Sequence, residues 1–233
     1  MTVPRISSHL ARVFASAMLV ITGAASAQAQ VDLTGVWQLQ SGTFQSALMT
    51  SDGAAPPLLP EAANIYEKNR ASYQAGDLLF DRSNEFCLSP GMPRMVLLPY
   101  PFQIIQRPHK LAFIFGWNSR FRLVDMSGGP AVIDDLSYMG TAVGRIEGDE
   151  LVINTQGLID TSFLDASGMP HSDELQLTER YRLKNRGKTL VVDITIEDPR
   201  TFSRPWSTTA TYKRLPASDE PRREGKGFVV EAR

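Results

Sequence analysis

Cysteine is almost missing from this chain. Cys87 stands alone among 233 residues, so no disulfide can form within it. It precedes a Pro/Gly turn with no His or Lys beside it, the setting of a packed thiol rather than of a nucleophile. Histidine is nearly as scarce, at His9, His109 and His171, and His9 falls in a leader-like segment. A zinc site of three histidines is therefore excluded from one mature chain, and no mixed ligand set has a recognisable spacing. Also missing are a phosphate-cradling glycine loop, a dinucleotide fingerprint, a haem motif and a Gly-x-Ser-x-Gly elbow. No metal or cofactor is expected. No apolar run is long enough for a typical membrane helix, so no span is expected either.

The start reads as a secretory signal peptide over residues 1–29. Arg5 and Arg12 give it a positive start, Val13 to Ala25 a short apolar run, and Ala25, Ala27 and Ala29 a small-residue cleavage rule. Cleavage near Ala27 or Ala29 implies a periplasmic or secreted protein. Without those two Arg, 22 of the 24 basic residues remain against 25 acidic ones. No basic stripe stands out, so a nucleic-acid partner is not expected. Residues 30–216 are long enough for one domain with a sizeable core. Residues 217–233 mix Arg222, Arg223, Lys226 and Arg233 with acids and read as a polar tail.

Two strands joined at Lys184-Asn185-Arg186-Gly187-Lys188 organise the rest. Side chains alternate faces along a strand. This puts Leu175, Leu177, Glu179, Tyr181 and Leu183 inward on the first, and Leu190, Val192, Ile194 and Ile196 inward on the second. Glu179 thus sits in an apolar row, where a carboxylate is costly unless paired or hydrogen-bonded. It is either a structural anchor, with Arg145 or Arg120 as partner, or a working group. If the strand reaches back far enough, His171 and Asp173 share its face. Alternate residues stand about 6.6 Å apart, so Asp173 can orient the imidazole for acid–base work. Glu179 lies about 20 Å further on, which weakens a triad. The candidate catalytic residues are His171, Asp173 and Glu179, with Tyr181 and Trp206 beside them.

Elsewhere the chain reads as short strands separated by turns. A helix is expected from about Pro60 to Gln74, with Pro and Glu61 in its first turn and Gly76 at its stop. Residues 86–100 begin as a turn and end as a strand. Phe102 to Arg107 pairs with a strand from Leu111 to Val124, turning at Pro108-His109-Lys110. That long strand places Leu111, Phe113, Phe115, Trp117, Phe121 and Leu123 on one face, with Asn118, Arg120 and Arg122 on the other. The aromatic face is either core or the wall of a ligand cavity. Phe115, Trp117, Asn118, Arg120 and Arg145 join Tyr181 and Trp206 as candidate ligand-binding residues. Gly148-Asp149 fits a type II′ hairpin turn between 139–147 and 150–158. One helix, many strands and no βαβ alternation argue for a mainly β, antiparallel barrel with a capping helix.

Gly35-Val36-Trp37, at the first strand, resembles the opening of lipocalin-like (calycin-type) barrels. The resemblance implies that a late Arg stacks on the Trp, and the final strand, from Trp206, ends at Arg214. Several longer stretches are Cys87 to Met95, Pro99 to Pro101, Gly144 to Asp149, Pro170 to Asp173, Glu179-Arg180 and Thr195 to Trp206. Together they resemble a group of secreted bacterial proteins sharing Cys-Leu-x-Pro-Gly-Met-Pro-Arg-Met, Pro-His-Ser-Asp and Arg-Pro-Trp segments. The resemblance implies family and fold rather than an activity. Other members carry a His before the Gly-Arg hairpin and a Trp inside it, where this chain has Thr141 and Ile146. A mechanism needing that second His fails here. Three functions remain open: a barrel binding a small, largely apolar (hydrophobic or aromatic) molecule in its lumen, a cofactor-independent acid–base enzyme (isomerase, lyase or hydrolase), and an interaction module with a filled core.

Overall fold

The structure, a computed structural model, describes Met1 and residues 31–40, 47–86 and 88–216. The leader beyond Met1, Cys87 and the 217–233 tail lie outside the described residues. Among the described residues, nine strands follow one another: β1 (Gly35–Leu39), β2 (Phe102–Arg107), β3 (Lys110–Phe115), β4 (Phe121–Asp125), β5 (Thr141–Glu147), β6 (Glu150–Gln156), β7 (Gln176–Lys184), β8 (Thr189–Glu197) and β9 (Trp206–Arg214). Between β1 and β2 lie α1 (Pro60–Gln74), α2 (Arg82–Phe86) and α3 (Arg94–Leu97). The strands close into a barrel in chain order, β9 pairing with β1.

Parity explains its one irregularity. A ring of sequential strands can alternate direction throughout only if their number is even. With nine strands, one neighbouring pair must run parallel, and that pair is β4 and β5. A parallel step needs a crossover of about a dozen residues or more, which the 126–140 segment supplies. The seam is short, joined only through Val124–Ala142 and Asp125–Val143.

Local chemistry sets the other boundaries. Pro60 and Glu61 open α1, which buries Ala62 and Tyr66. Gly148, at φ 63°, makes the tight β5–β6 turn. The β7–β8 hairpin turns through Asn185, Arg186 and Gly187, all left-handed, and both strands bury the rows the alternation predicts, with Leu183 at the end of its row only half-buried.

Two expectations need correction. Residues 111–124 form two strands, because Gly116 to Arg120 turn back on themselves with Asn118 and Ser119 left-handed. The register therefore flips after the turn: Phe121 and Leu123 face out at 64% and 54% exposure, while Arg122 faces in at 1%. The 86–100 stretch ends in α3 rather than a strand. Arg94, Met95 and Val96 are buried there, and Met92 just before them is fully enclosed. Short polar links hold this segment as a plug in one end of the barrel. The Tyr212 hydroxyl donates to the Val96 carbonyl at 2.8 Å, and Met92 N–H to the Tyr138 carbonyl at 3.0 Å.

The opposite end is closed by Trp37. Its indole N–H donates to the Leu33 carbonyl at 3.0 Å, and the Arg214 guanidinium lies 4.4 Å from the ring centre. Arg214 also donates to the carbonyls of Gly187 (2.8 Å) and Thr34 (2.7 Å), tying three segments together. Arg214→Ala should lower unfolding free energy in urea by roughly 2–4 kcal/mol, from a lost cation–π contact and two charged hydrogen bonds. Arg214→Lys should recover less than half, since an ammonium lacks the planar fork.

Candidate functional site

Polar groups gather in two places, one inside the barrel and one at its plugged end. Inside, Arg122 of β4 donates to both Glu179 oxygens of β7, at 3.1 and 2.5 Å, and to the Thr155 hydroxyl of β6 at 2.5 Å. The Tyr181 hydroxyl donates to Glu179 at 2.7 Å, and Arg122 lies 5.5 Å from the Phe113 ring centre. Burial alone would lower the Arg122 pKa, but the Glu179 charge and its hydrogen bonds outweigh it and the net shift is upward. Burial, then the Glu179 charge, push the Tyr181 phenol up, so it stays a donor. Glu179 is therefore paired, with Arg122 and not with Arg145 or Arg120.

At the plugged end, His171 is 6% exposed and precedes β7 instead of lying on it. Its Nδ1 is 2.9 Å from the Ser172 carbonyl and its Nε2 is 2.9 Å from the Ser162 hydroxyl. A carbonyl can only accept, so in the neutral ring Nδ1 carries the proton and Nε2 accepts from Ser162. Asp198 fixes the next layer, accepting from Ser172 N–H and the Ser172 hydroxyl, both at 2.7 Å.

Asp173 is not in this cluster. It pairs at the surface with Arg200 at 2.7 Å, so the expected His171–Asp173 dyad does not form. The cause is local: Leu175 N–H donates back to the Ser172 carbonyl, making a turn where strand alternation does not hold. Ser162 was invisible in the sequence, because a long loop brings it to His171. Asp198 lies within the Thr195 to Trp206 motif, which could have drawn attention to it.

The Ser162–His171 contact can pass a proton between its partners, but it is covered. Gly91 of the plug lies over it at φ 80°, and a Cβ there would stand 2.7 Å from the Ser162 oxygen. Of the expected ligand-binding residues, Phe115, Tyr181 and Trp206 are buried. Trp117, Asn118 and Arg120 lie on the β3–β4 turn, and Arg145 faces outward to Glu147 and Asn154, each at 2.6 Å. The barrel interior is full. Trp37, Ile104, Phe113, Tyr181, Val192 and Tyr212 have no accessible surface, which leaves no water-sized space beside them.

Among the described residues, a cleft opens at each end. Beside the plug is a crevice of about 10 Å³, lined by Leu48, Arg94, Leu97, Leu98, Leu164, Asp165 and Ala166. Asp165 knits this region together. It accepts from Leu48 N–H (2.9 Å), the Tyr66 hydroxyl of α1 (2.7 Å), and the N–H groups of Ser167 (3.0 Å) and Met169 (3.1 Å). At the other end an open groove of about 370 Å³ runs past Val31, Asp32, Thr34, Gln106, Arg107 and Pro108. Among the described residues, no three His, Cys, Asp or Glu side chains converge to hold a metal, and no helix is long and apolar enough to cross a membrane.

No family model and no curated protein matches the chain. Among solved structures it is similar to fatty-acid-binding barrels. One is a REP1-NXSQ fatty acid transporter, at 10% identity over 79% of this chain and 96% of that one, with a TM-score of 0.37. Another is a Schistosoma mansoni fatty acid binding protein in complex with arachidonic acid, at 11% identity over 79% and 96%, also with a TM-score of 0.37. At that score the likeness adds nothing to the barrel already described.

Two measurements test these roles. Glu179→Gln should cost about 3–5 kcal/mol of stability by leaving a buried guanidinium uncompensated, and Arg122→Met with Glu179→Leu should restore most of it. Equal stability of all three proteins would remove the pair from the structural account. Burial, its largest influence, lowers the His171 pKa despite the Ser172 carbonyl and the charges of Asp198 and Asp160. The unfolded chain then binds this proton first, near pH 6.5. The contribution is complete above that value and is lost as pH falls through the lower folded-state pKa. Urea melts between about pH 7 and 5 should show stability falling with pH, with a shallower slope in His171→Gln.

Proposed function

We propose that this protein is an exported barrel that binds a small, largely apolar molecule at its plugged end. The ligand takes room now filled by plug side chains. The observation that supports this is how the end is closed: by an inserted segment with Met92, Met95 and Val96 against the aromatic interior, beside a crevice. Methionine is unbranched and adaptable, so such a surface can repack around a guest. Apolar walls with a few placed polar groups are the usual composition of small-molecule sites. Export with cleavage near Ala27 or Ala29, and membership of the secreted bacterial group, belong to the same reading.

A second reading has its own support. An interior without accessible surface is what a filled barrel serving as an interaction module requires. Native mass spectrometry of protein made with its leader separates the two, repeated after denaturation to identify anything released. The binding reading expects a co-purifying apolar molecule, on a chain whose mass fits a start after Ala27 or Ala29. An empty protein that gains no thermal stability across an apolar-compound panel would falsify it and leave the filled module.

A further inference from the structure

We infer that the polar end of the ligand is a neutral hydrogen-bond acceptor, a carbonyl or hydroxyl oxygen, received by Arg94 in the crevice beside the plug. This rests on the small-molecule reading above and adds a place and a head-group chemistry. Buried polar groups nearly always have partners. Among the described residues, the Nε–H of Arg94 has none, although the residue is only 7% exposed. Its Nη1 donates to Asp81 at 2.5 Å, while the buried Nε–H is left without an acceptor. The buried Nε of Arg122 also lacks a partner, but that side chain is packed among Glu179, Thr155 and Phe113. Arg94 instead belongs to the lining of the crevice.

That space suits an apolar body. Its walls are Leu48, Leu97, Leu98, Leu164 and Ala166, and its present volume of about 10 Å³ fits one water. Leu97 and Leu98 are only half-buried, so they can turn toward solvent and widen it, and the plug methionines can repack behind them.

Charge decides the head group. Two carboxylates, Asp81 and Asp165, already accompany this one guanidinium. Asp165 is satisfied by Leu48, Tyr66, Ser167 and Met169, so it asks nothing of a ligand. A carboxylate head would bring a third negative charge into a poorly hydrated place. A neutral acceptor uses the Nε–H without that cost. Apolar alcohols, esters or ketones are therefore the class expected, in preference to carboxylates.

The test is calorimetric titration of the mature protein with laurate, methyl laurate and lauryl alcohol. The ester and the alcohol should bind at least about tenfold more tightly than laurate. Ala166→Leu, which fills the crevice without removing a polar group, should weaken both by about tenfold or more with an unchanged melting temperature. Arg94→Met combined with Asp81→Asn removes the ion pair as a unit and should abolish the preference for neutral heads. Laurate binding as well as its ester would overturn the head-group assignment. Binding untouched by Ala166→Leu would overturn the location and leave the small-molecule reading standing. If none of the three binds, this inference fails, and the mass-spectrometric result decides the broader reading by itself.

Discussion

The mutual need of Arg122 and Glu179 is the constraint around which the barrel interior is arranged, since either charge alone would be buried uncompensated, and its place is set by topology. Nine sequential strands force one parallel junction, and β4 meets β5 through only two residue pairs. Backbone pairing there is too short to carry the closure. Arg122 reaches inward from β4, past β5, and binds Thr155 on β6 and Glu179 on β7. The ion pair thus spans the weak seam from within. Its desolvation is costly, and the bidentate geometry, together with the Tyr181 hydroxyl, offsets that cost. A charge in an apolar row would be an error in most barrels. Here it braces the one place the ladder cannot.

The two ends are closed by different physics. Trp37 and Arg214 seal one with a stacked ring and charged hydrogen bonds to Thr34 and Gly187, all short-range and rigid. The other is stoppered by an inserted segment whose side chains are largely aliphatic. Its surroundings are organised by two carboxylates. Asp165 gathers α1 and the 160–170 loop, and Asp198 holds the turn that carries His171. His171 and Ser162 look like a proton-transfer pair by distance. Gly91 covers them, so in this arrangement they hold the 160–170 loop closed on itself beneath the plug. Capacity for change is concentrated at the plugged end, where adaptable packing meets an unused donor on Arg94.

Much of the architecture was legible because strands leave a period of two. The buried rows of β7 and β8, the α1 boundaries and the Gly148 turn follow from local residue chemistry, whereas the stacking of Arg214 on Trp37 was implied by the resemblance to lipocalin-like barrels. The errors occur where the chain turns without announcing it. Gly116 to Arg120 lie in an apolar, strand-like run, and left-handed Asn118 and Ser119 reverse it. That shift by itself turned Arg122 inward and hid the partner of Glu179. The turn at Ser172 to Leu175 likewise sent Asp173 to Arg200 and left His171 to Ser162.

The sequence by itself determined the fold class, the inward and outward faces of the long hairpin, and the need of Glu179 for a partner. Each depends on neighbours along the chain or on the cost of burying a charge, which hold wherever the strand ends up. Only the tertiary structure decided which guanidinium meets Glu179, which hydroxyl meets His171, and that the interior is filled. Those contacts join residues as far apart as Arg122 and Glu179, or Tyr212 and Val96. They depend on strand register, parity and the path of long loops, so no local pattern in the chain encodes them.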